Sequence, residues 1–424
     1  MDNSNEARAL LRQGRLLEAE CAYARILEAS PDDAEALNVV ALAALRDGDA
    51  TRALGLLRHA ATITPLDAQT QFNLGRALEI HDDLAAASIC YQQAVRLQPE
   101  FFLARLHLGS ALERRGKNHS AALNFTRALQ CAQANGRWLN PATTPAGLRP
   151  LVEHAVIAAD AGRRAAYDRA LAPLVKRYGR AALTRIEQGL RIYLGDRQAE
   201  YPDPRQRPTF FCLPGLPTAA YLDRAAFTWL PALEQQTVAA RRELHAVLGS
   251  TAGSERVFTS DELEVANLRG EGQRPSWTGY YFYRHGVRRA DNCTACPDTA
   301  RALDALPLCR IREHGPEVLF SVFTPGTHLL PHRGVTNVRC VAHLPLIVPE
   351  DCALSVGGEI HVWQEDQVVV FDDTYEHEAW NRSRRIRVVL IADVWNPHLT
   401  EVERAAATEL IEAIGDFRAA AETA

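Results

Sequence analysis

Four histidines, His328, His332, His343 and His377, lie within the last quarter of this 424-residue chain. Two of them stand in settings that suit a metal ligand. His332 occurs in PGTHLLPHRGVTN at a strand-to-loop junction, and His377 occurs in FDDTYEHEAWN after a strongly apolar run. Neutral imidazole is a common ligand for transition metals, and the mouth of a β-barrel can bring residues 45 positions apart onto one ion. A single histidine is more often a hydrogen-bonded surface or core residue, so it is their company that points to metal. Asp372 and Asp373 precede the second histidine, where they could orient a ligand or cap the turn. Cys293 and Cys296 have redox or zinc spacing, but no second pair follows, and they read as free thiols.

The elements that must position these residues are short. VLFSVF, VRCVAHLPLIV, CALSV, EIHVW, QVVVFDD and RVVLIADVW are β-type runs separated by Pro, Gly, Asn and Asp clusters. Strands of that length and spacing predict a double-stranded β-helix, or jelly roll, with flanking helices. Phe210 to Leu248 reads as mostly helical, and a last helix is expected from about residue 401 to 424. In the first third of the chain Pro31, Pro65 and Pro99 recur every 34 residues. In that register Ala19, Ala53, Ala87 and Ala121 form one column, and Ala60, Ala94 and Ala128 form a second. Tyr23, Leu57, Tyr91 and Phe125 form a bulky third. Small residues recur where paired helices approach closely, and the segment resembles tetratricopeptide repeats, an α-solenoid with a concave surface. The expected organisation is repeats over 1–131, a helical connector and proline-rich linker over 132–205, a jelly-roll domain over 206–400 and the final helix.

Charge narrows the partners. There are 47 basic and 52 acidic side chains, a formal charge of −5 with no strong single-sign field, which makes nucleic acid a poor partner. No apolar run reaches the roughly 20 residues needed to cross a bilayer, and MDNSNEARALLRQGRL lacks the layout of a signal peptide. A cytoplasmic protein without membrane attachment is expected, with its nine cysteines reduced.

From Pro331 to Leu399 the sequence resembles the aspartyl/asparaginyl β-hydroxylases, a branch of the Fe(II)- and 2-oxoglutarate-dependent dioxygenases. The matching segments are SVFTPGTHLLPHRGVTN, AHLPLIVPEDCALSVGGE, Trp363, FDDTYEHEAWN and RVVLIADVWNPHLT, with weaker likeness back to about residue 206. The resemblance implies that His332 and His377 bind iron, that Arg387 and Ser321 hold the distal carboxylate of 2-oxoglutarate, and that His343 lies near that cosubstrate. It implies that Arg339 lies near an acidic group of the substrate, and that O2 is the oxidant. Where other oxygenases place a carboxylate ligand this chain has Gly334, as the family does, which leaves a position for water. An aspartate there is expected to fit. On VRCVAHL, Arg339, Val341 and His343 alternate onto one face, and Val341 departs from the second arginine usual in the family. Arg387 shares a face with Val389 and Ile391, so an inward guanidinium would need an anionic partner. The expected activity is hydroxylation of an unactivated carbon, such as the β-carbon of Asp or Asn in a peptide, protein or related small molecule. A protein partner on the repeat surface is also expected. The alternatives are a halogenase, with halide beside Gly334, and a repeat scaffold carrying an inactive jelly roll.

Overall fold

The structure, a computed structural model, describes residues 2–248, 253–258, 260–270 and 275–424. Contacts divide the chain into two units, Met1–Arg169 with Asp416–Ala424, and Ala170–Gly415.

The first unit opens with four helix pairs: α1 (Asp2–Arg12) and α2 (Leu16–Ala29), α3 (Ala34–Arg46) and α4 (Ala50–Ile63), α5 (Ala68–Ile80) and α6 (Leu84–Leu97), α7 (Phe102–Arg114) and α8 (Asn118–Ala134). Four of the helices are started by aspartates, Asp33, Asp49, Asp67 and Asp83, each accepting a backbone N–H of the first turn. All three columns of the repeat are buried. The Leu-Gly step has a steric cause, because a Cβ on Gly75 would meet the Tyr91 ring at 2.6 Å and one on Gly109 the Phe125 ring at 2.5 Å.

Among its described residues the second unit holds twelve strands: β1 (Ser254–Arg256), β2 (Leu268–Arg269), β3 (Trp277–Arg284), β4 (Val287–Arg288), β5 (Val318–Phe323), β6 (His328–His332), β7 (Arg339–Ile347), β8 (Cys352–Val356), β9 (Glu359–His361), β10 (Val369–Phe371), β11 (His377–Asn381) and β12 (Arg387–Trp395). They form two antiparallel sheets, ordered β1-β3-β5-β12-β7-β10 and β2-β6-β11-β8-β9, with β4 on β3. Within them β5-β12-β7-β10 and β6-β11-β8-β9 give the jelly-roll order, in which the chain passes repeatedly from one sheet to the other. The larger sheet is buried on both faces. Phe320, Leu344, Leu390 and Val394 pack outward under the helices Leu230–Glu234, Thr237–Leu248 and Pro297–Asp304, while Phe323, Val341, Phe371 and Val389 face inward with Leu329, Leu354 and Ala379 of the other sheet.

Three expectations need correction. Residues 132–205 are not one connector: the division into units falls inside the helix Arg149–Tyr178, whose Val152, Ala155 and Ala159 join the repeat core. Phe210 to Leu248 is helical only in its second half, since its first half is extended chain that bonds to loops of the β domain. The proline-rich segment YPDPRQRP is not a free linker. Gln206 is buried, its amide donates to Asp372 at 2.5 Å, Arg207 N–H donates to Thr374 O, and the Tyr375 hydroxyl donates to Asp203. Directly after it, Thr209 N–H donates to Gly334 O, while Phe210 and Phe211 N–H both donate to Val335 O. This strap, residues 203–211, therefore ties together the loop after β6 and the loop before β11. Its prolines remove donors that an exposed coil would have kept solvated, which is why the segment looks like a linker in sequence.

Candidate functional site

His332 closes β6 and His377 opens β11, and the two are direct partners in the antiparallel ladder. Their rings stand 4.0 Å apart, centroid to centroid. His332 Nδ1 lies 2.9 Å from Leu330 O and His377 Nδ1 lies 3.1 Å from Tyr375 O. A carbonyl can only accept, so each Nδ1 carries the proton and each neutral ring keeps its Nε2 lone pair. Burial lowers the pKa of both, that of His377 to about 3, with the neighbouring His332 adding to the effect. Two neutral imidazoles 4.0 Å apart, each with an unprotonated nitrogen, are donors that suit a metal ion. Among the described residues no third His, Cys, Asp or Glu completes a ligand group with them.

Gly334 follows His332 by two residues, and the space beside it is taken. A Cβ there would lie 2.2 Å from the Asp373 carboxyl carbon, so an aspartate at 334 does not fit unless Asp373 moves. Asp373 reaches this place because Gly334 N–H donates to its backbone oxygen at 2.6 Å. Its neighbour Asp372 caps the turn instead, accepting Thr374 N–H and hydroxyl.

The histidines open onto a cavity of about 460 Å³ lined by both sheets. Its lining includes Arg387, 1% exposed and, among the described residues, with no carboxylate partner. The guanidinium donates to Ser321 hydroxyl and carbonyl at 3.2 and 3.3 Å, its Nε has no partner, and it stacks on Phe323 at 3.8 Å and Trp363 at 4.9 Å. Burial pulls its pKa down to about 9. Trp277 Nε1 donates to Ser321 Oγ at 2.9 Å, which holds that hydroxyl beside the arginine. His343 lies between Phe371 and Trp363 with Nδ1 unpartnered, and burial with the nearby Arg387 charge drives its pKa well down.

Arg339 has the opposite setting. It pairs with Asp373 at 2.9 Å and also with Asp393, whose carboxylate further accepts Glu317 N–H. Its pKa is held far up despite burial, whereas that of Asp373 rises to about 7, because burial and two nearby carboxylates outweigh the one guanidinium. Thus Arg339 lines the cavity with its charge already matched.

The structure brings His332, His377, Ser321, His343, Arg339 and Arg387 to this one cavity. His328 is not part of it; it pairs with Glu378 at 2.7 Å on the barrel exterior. Cys293 and Cys296 are free thiols in the core beneath the larger sheet. Sequence reasoning missed Trp277, Asp393 and the strap. Asp393 was available to it, since period two along β12 places residue 393 on the face of Arg387.

Residues 234–397 match the family described as Aspartyl/Asparaginyl beta-hydroxylase, and residues 4–68 and 72–136 match tetratricopeptide repeats. Among curated proteins the chain is 31% identical over 237 residues to human Aspartate beta-hydroxylase domain-containing protein 2, covering 54% of this chain and 61% of that protein. It is 36% identical over 142 residues to human Aspartyl/asparaginyl beta-hydroxylase, 33% of this chain and 18% of that one. With the Ornithine lipid ester-linked acyl 2-hydroxylase of Rhizobium tropici it shares 35% identity over 178 residues, 41% of this chain and 60% of that one. The chain thus spans about three fifths or less of the length of these relatives. No helix among the described residues is long and apolar enough to cross a membrane.

Proposed function

We propose, on the premise that residues 234–397 carry an aspartyl/asparaginyl β-hydroxylase domain, that this chain is an Fe(II)- and 2-oxoglutarate-dependent dioxygenase that hydroxylates an unactivated carbon. The observation that carries the proposal is Arg387. A buried guanidinium without a carboxylate is costly, and a ligand carboxylate with two acceptor oxygens would match it. Ser321, held by Trp277, adds a second donor to the same oxygen-rich group. His332 and His377 fit the metal by donor chemistry, since their rings lie 4.0 Å apart and each keeps an unprotonated Nε2. With no protein carboxylate as ligand, a dianionic cosubstrate is the group that lowers the charge there. The chemistry supplied by the bound metal is oxidative: RH, O2 and 2-oxoglutarate become ROH, succinate and carbon dioxide.

The alternatives fare worse. The space beside Gly334 that the halogenase reading needs is taken by the Asp373 side chain. A scaffold with an inactive jelly roll gains nothing from keeping an unmatched Arg387. Relatives are named for two kinds of carbon, in aspartyl or asparaginyl groups and in an acyl chain, and both fall within this proposal.

The test is His332→Ala and His377→Ala, each measured for iron binding and for succinate release from 2-oxoglutarate. Both variants should keep the wild-type circular dichroism and lose iron binding and turnover. Wild-type rates in either one would overturn the proposal.

A further inference from the structure

We infer that the group oxidised in this cavity is a saturated aliphatic segment with no carboxylate beside the reacting carbon, and that Val341 and the closed Asp373–Arg339–Asp393 ion group exclude acids from it. The inference rests on the iron and 2-oxoglutarate proposal.

Among the described residues the cavity is lined by three arginines, Arg284, Arg339 and Arg387. Arg284 is paired with Glu255 and stacked on Tyr281 at 4.6 Å. Arg339 lies between two carboxylates, and although its Nε is unpartnered its charge is more than balanced. Arg387 alone has no acid, and the proposal assigns it to 2-oxoglutarate. Among the described residues no arginine of the lining is then left for a substrate carboxylate, and His285, also of the lining, already faces Glu317 at 2.9 Å. Four acids line the same cavity, Glu313, Glu317, Asp373 and Asp393, and they already take up the neighbouring Arg312, His285 and Arg339, so the lining offers an incoming carboxylate no unmatched positive charge beyond Arg387. Position 341 would have been the place for a further cation. Its side chain lies between Arg339 and His343 on the inner face of β7, and its cross-strand partners are Phe371 and Asp393. With Val341, the aliphatic lining includes Leu319, Leu329, Leu354 and Ile391, which favours burial of hydrocarbon. The shared chemistry is a saturated chain; its source is either the acyl chain of an amphiphile or the aliphatic side chain of a peptide. An aspartyl or asparaginyl β-carbon, expected from the sequence resemblance, fits less well because it sits next to a polar or charged group.

The full-length protein with Fe(II), 2-oxoglutarate and O2 would be assayed for succinate release with three probes. These are decanoyl amide, a neutral leucine-rich peptide and an aspartate-containing peptide of equal length. At least one aliphatic probe should raise release tenfold or more and gain one oxygen atom, and the aspartate peptide should do neither. Stimulation by the amide alone assigns the chain to an acyl source, and by the leucine peptide alone to a side chain; both uphold the inference. Equal stimulation by the aspartate peptide, or none by either aliphatic probe, overturns it. Absence of both 2-oxoglutarate binding and succinate release refutes the cofactor proposal itself, whereas release that no aliphatic probe accelerates refutes only the substrate class. Val341→Arg should raise the KM for the active aliphatic probe at least tenfold. Should that variant misfold, Val341→Thr, nearly equal in volume, should raise the same KM more than it lowers kcat.

Discussion

Arg339 and Arg387 line one cavity and lie on neighbouring strands, the first half-buried and the second fully buried, yet they are handled in opposite ways. Arg339 has two carboxylates and its pKa is pushed up; Arg387 has none and is pulled down to about 9. A buried cation matched within the chain is architecture, because its partners would be stranded without it. A buried cation left unmatched is a stored cost that a ligand can relieve. The two arginines are indistinguishable by residue type, and only their company separates them.

The comparison breaks most visibly under the same substitution at both positions. Arg339→Leu should strand Asp373 and Asp393 and destabilise the β domain by about 3 to 5 kcal/mol, read as a lowered denaturation midpoint. Arg387→Leu should leave stability unchanged or raised, since it removes an uncompensated charge, while weakening 2-oxoglutarate binding by about 100-fold, or ~2.7 kcal/mol. Equal loss of stability in the two variants would erase the distinction. A smaller change sharpens it: Ser321→Ala removes one donor beside Arg387 and should raise the 2-oxoglutarate Kd by about fivefold, ~1 kcal/mol. The smallest effect is that of pH. With Arg387 at about 9 in the free protein and raised by a bound dianion, affinity should be flat below pH 8 and fall as pH rises past 9. At pH 9.5 the loss should be about fourfold, and calorimetric titration at two pH values reads it directly.

Much of this architecture is visible in sequence, for physical reasons that differ by region. The repeats announce themselves because each 34-residue unit must solve the same packing problem, so Ala53, Leu57 and Ala60 return as Ala87, Tyr91 and Ala94. Strands β5, β7, β8, β10 and β12 are legible as apolar runs because their surroundings are apolar. Strands β6 and β11, which carry the metal-binding candidates, are not: HLLPH contains a proline and HEAWN a glutamate. Their pairing is specified by neighbours rather than by their own composition. Resemblance to a family singled out His332, His377 and Arg387 as candidates, but not which arginine lacks an acid among the described residues, since ion pairing joins Asp373 and Asp393 across the fold. Nor could sequence show that Gly334 faces an occupied space. The strap escaped for the same reason, its donors being matched by loops far along the chain.

That distance has a kinetic consequence. Gln206 and its acceptor Asp372 are 166 residues apart, and Thr209 and Gly334 are 125 apart. Contacts so widely separated in sequence close slowly, because the intervening chain must first be ordered. The strap precedes in the chain both loops that it fastens, and the loop before His377 is the later of the two. The two imidazoles meet through the β6–β11 ladder, itself a pairing between segments separated in sequence, so their meeting should accompany closure of the barrel. Capture of a metal ion should accordingly be a late event in the life of a new chain, and its rate should follow that of β-domain folding rather than that of the repeats.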